Sequence, residues 1–363
     1  MKILITAPLP PYRRGGIEKV VGELSQRLSQ DYSSDVHVWS GTLGPAQACD
    51  WNGVHLRMFH TSKRAGYASL KMFRALKLSE RDFDVIHAHG FSSLIPFTTA
   101  LAARNTPLVI SPHFHPLASS KLLGVVKPLF ERSVDRYSLR KARKVICVSE
   151  TEASIIRERF AVAGKVAVIH NGVSPDEIQH AEPYEFDGKL ILYVGRLERY
   201  KNIHRAIEAI DYLPQDFSFY IIGEGPYKSE LVALIQRKGL SQRVRLLGAC
   251  ADEDLYRWMK TSAVLVNLST LEAFGITVLE ALAAGTPALV NDKLGLRELA
   301  RHFDRAVFSI PVEAVSAREL AQTICDVAEA EIGLVDLTDF RWDMIAARVL
   351  HAYEEVCNDG GVI

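Results

Sequence analysis

The sequence has no apolar run near the ~20 residues of a membrane-spanning helix, which excludes a chain with helical spans. Cysteine is sparse. Cys49, Cys147, Cys250, Cys325 and Cys357 are odd in number, far apart and free of C-x-x-C spacing. That excludes a disulfide framework and a cysteine zinc site, and it points to a reducing compartment. From Lys2-Ile3-Leu4-Ile5 the chain passes directly into Pro8-Leu9-Pro10-Pro11, too short an apolar stretch for a signal-peptide core. The expectation is a soluble cytoplasmic protein. Net charge is absent too, with 43 Lys and Arg against 43 Asp and Glu.

The balance hides a split. Residues 1–170 hold 24 Lys and Arg against 13 Asp and Glu, and residues 171–363 hold 19 against 30, so the halves carry +11 and −11. A length of 363 residues, 48% of them hydrophobic, suits two domains with ordinary cores. The basic half either faces an anionic surface or attracts the acidic half. It lacks the interleaved aromatics of a nucleic-acid-binding module, so no nucleic-acid partner is expected.

Strand and helix patterns alternate along the chain. Lys2 to Ala7 reads as a strand, followed by a Gly15-Gly16 loop and an amphipathic helix from Ile17 to Leu28. Strands follow at 35–40, 54–59, 84–89, 108–111, 144–149 and 166–169, with helices at 67–78, 92–103, 122–141 and 150–160. The acidic, proline-containing stretch 173–188 reads as a linker. A second series follows, with strands at 190–194, 217–222, 244–247, 263–268 and 288–291, and helices at 203–213, 227–238, 255–261 and 274–284. Repeated strand–helix units imply parallel sheets covered on both faces. The domains are read as 1–172 and 173–340, with an amphipathic helix in 341–363 closing the structure. Ligands bind such sheets beyond the strand C-termini.

The stretch Ser269 to Pro287 organises the second series. It reads as loop then helix, with Glu272 in the loop and Glu280 inside the helix. The helix start near Phe274 to Thr277 offers free N–H groups and a positive dipole end, both suited to a phosphate. A carboxylate outside that end and another a turn inside would frame a nucleotide sugar. Taken alone, the same pair reads as an acidic cap region and a solvated glutamate. Arg196 and Lys201 leave one strand on one loop, where two cations can meet one diphosphate; most such pairs are solvated surface cations. Gly15-Gly16 lets the backbone approach an anion, or is a flexible turn; it is not the G-x-G-x-x-G fingerprint.

As an ordered set these pieces resemble the retaining glycosyltransferase family 4. Glu272 and Glu280 match its E-x7-E motif. The likeness extends to Gly15-Gly16, Asp84-Val85-Ile86-His87-Ala88-His89, Ser111-Pro112-His113, Asn171-Gly172-Val173, Gly195-Arg196-Leu197, Lys201-Asn202 and Gly223-Glu224-Gly225-Pro226. The resemblance implies a GT-B fold, two Rossmann-like doubly wound domains facing a central cleft. It implies transfer of a hexose from a nucleotide diphosphate sugar with retained configuration, with the catalytic roles on His113, Arg196, Lys201 and Glu272. The implied donor contacts are Gly15, Gly16, Arg196, Lys201, Gly223, Ala249, Cys250, Ala251, Glu272, Ala273, Phe274, Gly275, Ile276, Thr277 and Glu280. Neither metal nor cofactor is implied, because preplaced cations and a helix N-terminus stabilise the leaving diphosphate.

The family usually has Gly-Gly then Glu after the strand ending near Asn291. Here the segment is Asp292-Lys293-Leu294-Gly295-Leu296-Arg297-Glu298, with one glycine missing, which puts its donor contact in doubt. His113 and His115 both precede Pro116, and both stand as candidates for the reaction centre. Asp82-Phe83-Asp84 imitates a D-x-D metal motif but opens a strand and reads as structural. His87 and His89 share one strand face and read as core or cleft histidines. Lys71, Arg74 and Lys77 at helical spacing, with Arg64 before them, and Arg132, Arg136, Arg140, Lys141 and Arg143 suit peripheral contact with an anionic inner membrane face, or are solvated helix faces. The first reading is transfer from GDP-mannose to a lipid-linked or saccharide acceptor. Alternatives are UDP-glucose or UDP-N-acetylglucosamine as donor, a non-catalytic nucleotide-sugar-binding protein, and a GT-B epimerase.

Overall fold

In the computed structural model the chain divides into two units, Met1–Asn171 with the segment from Trp342 onward, and Gly172–Arg341. The structure describes residues 1–62, 65–114 and 126–358, the side chains of 126–132 excepted.

The first unit is built on an eight-stranded sheet: β1 (Lys2–Ala7), β2 (Asp35–Thr42), β3 (Gln47–Trp51), β4 (Val54–His60), β5 (Val85–His89), β6 (Leu108–Ser111), β7 (Lys144–Cys147) and β8 (Val166–Val168). Their order is β3-β4-β2-β1-β5-β6-β7-β8, and only the β3–β4 pair is antiparallel. The crossover helices are α1 (Gly16–Gln30), α2 (Leu70–Ser79), α3 (Ile95–Ala102), α4 (Val126–Lys141) and α5 (Glu150–Phe160). Covered on both faces, β1 and β5 are almost wholly buried and read as continuous apolar runs.

The edge strand β3 is an addition to the expected elements. Its residues are mostly exposed and lack strand alternation, but Asn52-Gly53 turns it onto β4 with both φ angles positive, 53° and 82°. An Asn-Gly pair between two runs is the sequence sign of such a hairpin. The helix expected from Tyr67 begins at Leu70, because Tyr67 sits at φ 61°, outside the helical region.

The second unit has a six-stranded parallel sheet: β9 (Lys189–Val194), β10 (Phe217–Ile222), β11 (Val244–Gly248), β12 (Val264–Asn267), β13 (Ala288–Asn291) and β14 (Val307–Ile310), ordered β11-β10-β9-β12-β13-β14. Its helices are α6 (Pro175–Gln179), α7 (Ile203–Ala209), α8 (Lys228–Arg237), α9 (Asp252–Thr261), α10 (Ile276–Ala283), α11 (Leu294–His302) and α12 (Ala317–Ala328). Of these, α11, β14 and α12 fill a stretch for which the sequence pattern suggested no elements. The stretch expected as a linker is partly ordered: it contains α6, Val173 N–H donates to Phe340 O at 2.8 Å, and Arg341 pairs with Asp176 at 2.7 Å. The final helix, α13 (Trp342–Asn358), belongs to the first unit and buries Trp342, Ile345, Ala346, Val349 and Tyr353.

Both units are Rossmann-like doubly wound domains. Strand order reverses at the first strand of each sheet, so the loops leaving β1 and β5, and those leaving β9 and β12, diverge and open a crevice at the C-terminal edge. In the second unit the loops after β9 and β10 lie backbone against backbone. A Cβ on Gly223, at φ 142°, would stand 1.9 Å from Gly195 O.

The first core holds ionisable groups. His87 Nδ1 bonds Tyr353 OH of α13 at 2.6 Å and its Nε2 bonds Ser111 Oγ at 2.8 Å. Burial, then the nearby His113, pushes the His87 imidazole down to about 3, and burial with the neighbouring rings holds His89 well below its ordinary value. Burial pushes the Glu152 carboxyl up to about 7, against the N–H bonds it accepts from Phe114 and Val148.

Gly223→Ala should therefore destabilise by about 3 kcal/mol or more, since both φ and space forbid the methyl. Gly239→Ala, at φ 69° in open space, should cost only about 1–2 kcal/mol. Equal losses in denaturant unfolding would show that the close approach is unimportant. His87 has a depressed folded value, so the unfolded chain binds the extra proton, and the contribution is whole above 6.5 and lost as pH falls toward 3. Glu152 runs oppositely, losing stability as pH rises from 4.5 to 7. The discriminating measurement is the difference in melting temperature between wild type and His87→Gln, which should narrow as pH falls below 6.5; a difference constant from pH 7 to 4 would contradict it.

Candidate functional site

The crevice of the second unit lies between β9 and β12, and the chain brings Lys201 and Glu272 together there. Lys201 ends a short turn after β9, and Glu272 lies on the loop after β12; the Lys201 ammonium pairs with the Glu272 carboxylate. Both side chains are largely buried, 13% and 20% exposed. Burial lowers the ammonium, but Glu272 outweighs it, so Lys201 lies above its ordinary value and stays charged.

The two loops are tied at several points. Asn202, at φ 55°, donates from Nδ2 to Leu268 O at 2.9 Å. Thr270 sends its N–H and its hydroxyl to Tyr200 O, at 3.0 and 3.1 Å. These ties connect strands distant in sequence and set where the pair can sit.

Beyond Glu272 the chain enters α10 through Gly275, at φ 107°, with no side chain capping the helix. That helix start therefore presents uncapped N–H groups beside the ion pair. Gly295 N–H donates to Glu272 O at 3.2 Å, and a Cβ on Gly295 would stand 2.3 Å from Ala273 O. The second glycine of the departing segment thus packs tightly under the Glu272 loop. The missing first one is Leu294, which adopts φ 49° all the same. Phe274 is buried against Phe340, ring centroids 6.2 Å apart, and Glu280 is buried inside α10.

Arg196 leaves the same β9 loop but is mostly exposed and pairs with Glu198 at 2.7 Å. Its backbone is fixed by Tyr193 OH donating to Arg196 O at 2.9 Å. Gly223 N–H reaches Gly248 O at 2.7 Å, which brings the loop after β10 to the turn holding Ala249, Cys250 and Ala251; Ala251 is the N-cap of α9.

In the first unit Gly15 is the N-cap of α1, and Gly16 is exposed with open space where a Cβ would stand. His113 is buried at φ 48°, and its Nε2 shares a hydrogen bond of 3.0 Å with His89 Nδ1, the rings nearly parallel. Glu152 was not anticipated. Its buried carboxylate accepts the Phe114 N–H at 2.5 Å and the Val148 N–H at 2.7 Å, pinning the residue next to His113. Only its place in the first turn of a helix after a strand hinted at this. His115 and Arg64 lie outside the described residues, as does the side chain of Arg132. Both ring nitrogens of His87 are engaged by Tyr353 and Ser111, and Asp84 accepts the Lys2 N–H at 2.7 Å at the opposite end of β5.

Residues 176–335 match the family model described as glycosyl transferases group 1, and residues 14–177 match that of glycosyltransferase family 4. An uncharacterized glycosyltransferase of Methanocaldococcus jannaschii is 26% identical over 86% of this chain and 85% of its own. A 2-deoxystreptamine glucosyltransferase of Streptomyces kanamyceticus is 26% identical over 67% of each. A phosphatidyl-myo-inositol mannosyltransferase of Mycobacterium leprae is 27% identical over 79% of this chain and 77% of its own. Among solved structures, sucrose-phosphate synthase of Thermosynechococcus elongatus superposes with a TM-score of 0.81 at 20% identity, covering 99% of both chains. The two doubly wound domains are those of the GT-B fold, and each is matched by a glycosyltransferase model, family 4 on the first and group 1 on the second.

Proposed function

We propose that the chain transfers a hexose from a nucleotide diphosphate sugar to a lipid-linked or saccharide acceptor, with retention of configuration and with GDP-mannose as donor. The observation that carries the reading is the Lys201–Glu272 pair beside the uncapped start of α10. The reaction breaks the bond from the anomeric carbon to phosphate oxygen. The electron pair leaves with the diphosphate; the acceptor oxygen bonds the anomeric carbon on the face the diphosphate leaves, which retains configuration, and passes its proton to the departing diphosphate oxygen. Lys201, Arg196 and the amides from Ala273 to Thr277 stabilise the departing charge, usually the largest catalytic contribution. Glu272 holds sugar hydroxyls, and Glu280 is assigned to the ribose. Gly223 and Ala249 to Ala251 lie toward the base. Gly15 and Gly16 are assigned backbone approach to the diphosphate, and His113 is assigned to the transferred sugar. The donor is a substrate, and neither a cofactor nor a metal is required in this scheme.

The mannose assignment rests on the likeness of the Gly15-Gly16-Ile17-Glu18-Lys19-Val20-Val21 opening to mannosyl-transferring members, and the mannosyltransferase relative favours it. The glucosyltransferase relative favours a glucosyl donor, for which UDP-glucose is the alternative. A lipid-linked acceptor is supported by α2, where Lys71, Arg74 and Lys77 are exposed together with Leu70 and Leu78. A helix exposing both basic and large apolar residues suits the headgroup region of an anionic membrane, each basic residue adding ~1 kcal/mol.

Lys201→Ala, Arg196→Ala and Glu272→Ala should each lower turnover by about 100- to 1,000-fold with unchanged circular dichroism, and near-normal rates in all three would refute the site. Gly16→Ala should fold normally, so any loss of donor affinity would report a close ligand. In a thermal-shift screen GDP-mannose should raise the melting temperature more than UDP- and ADP-sugars, and a larger rise with UDP-glucose would reassign the donor. Flotation with anionic vesicles should carry the chain upward, and absence of binding there would end the membrane proposal.

A further inference from the structure

At the N-terminal edge of the first sheet, the end away from the loops carrying Gly15, Gly16 and His113, three metal-type donors converge. Asp35 and His37 lie on β2 two residues apart, hence on one face, and His37 is the register partner of His55 on β4. Asp35 Oδ1 stands 3.0 Å from His37 Nε2 and 3.6 Å from His55 Nε2, and the three donor atoms lie within 4.8 Å of one another. Ligands ~2.0–2.2 Å from a tetrahedral ion stand roughly 3.3–3.5 Å apart, so this spacing suits one shared centre.

The His37 ring turns a buried nitrogen into the cluster. Its Nε2 stands 3.0 Å from Asp35 Oδ1, a contact too poorly aligned for a full hydrogen bond. A buried nitrogen with a poorly aligned partner is incompletely satisfied, and an ion at its lone pair would satisfy it. Lys2 faces the cluster as well, but it approaches the other oxygen, Asp35 Oδ2, at 3.6 Å, and leaves Oδ1 to the centre. The Arg57 guanidinium lies over Trp39 and Phe59, at 5.2 and 4.9 Å from their ring centroids. The open side faces a cavity lined by Lys2, Trp39, Cys49 and Arg57, among others.

We propose that Asp35, His37 and His55 form a zinc site that ties β2 to β4. Two imidazoles and one carboxylate suit a first-row ion such as Zn²⁺ over Mg²⁺ or Ca²⁺. The site stands at the edge opposite the crevice and acts on the stability of the sheet, because an ion that needs the assembled strands adds its binding free energy to folding. It is independent of the sugar-transfer reading.

The test uses the full chain, stripped of metal with chelator and titrated with Co²⁺ alone, then with Zn²⁺ as competitor. Wild type should bind about one equivalent with the visible absorption of a tetrahedral Co²⁺ centre, and Zn²⁺ should displace it and raise the melting temperature. The His37→Ala/His55→Ala double variant should lose at least about 10- to 100-fold in affinity. His55→Gln, at an exposed position and so without consequence for folding, should show the same loss if the double variant is unstable. Wild type without saturable binding at micromolar metal, or His55→Gln binding as tightly as wild type, would overturn the proposal.

Discussion

Parallel pairing is the constraint on which the rest depends. Parallel strands need a crossover between neighbours, and each crossover must cover one face of the sheet. Starting from the central strand and winding outward both ways leaves one place where adjacent loops run to opposite faces. In the second unit that place is between β9 and β12. It receives Lys201 from one loop and Glu272 from the other, 71 residues apart in sequence. The pair is a consequence of topology before it is a consequence of chemistry.

What makes the crevice specific is the rigidity of its rim. The loops after β9, β10 and β12 are held by backbone bonds and by glycine contacts too close for any side chain, at Gly223 and Gly295. Donors fixed in advance need no reorganisation when charge develops, which is why such loops favour catalysis. Lys201 and Glu272 satisfy one another in a partly desolvated place, so neither is an uncompensated buried charge. In the proposed scheme each exchanges its partner for a phosphate or a sugar hydroxyl.

The first unit divides its labour between two edges. At the C-terminal edge the His113 loop is stacked on His89 and pinned through Phe114 to Glu152. Beneath it, Tyr353 of α13 bonds His87, so the last helix of the chain completes the core of the first unit. At the N-terminal edge Asp35, His37 and His55 gather where adjacent parallel strands align their first residues. Aligned starts are as direct a result of parallel register as the crevice at the other end.

The sequence by itself determined the strand–helix alternation, the doubly wound class and the two centres of mass of the chain, because burial on both faces imposes long apolar runs at regular intervals. It also placed Arg196, Lys201 and Glu272 at strand ends, where one-dimensional order already reads as loop. β3 is absent from that reading, although Asn52-Gly53, a two-residue turn whose left-handed preference is local, is the signal that could have found it. Only the tertiary structure decided that Lys201 meets Glu272 while Arg196 turns to Glu198, since no local preference selects a partner 71 residues away. It alone decided that α13 joins the first unit, that Glu152 supports the His113 loop, and that Leu294 takes a left-handed conformation against its intrinsic preference. Those outcomes are set by packing between distant segments, whose gains outweigh the one or two kcal/mol that any single residue's propensity contributes.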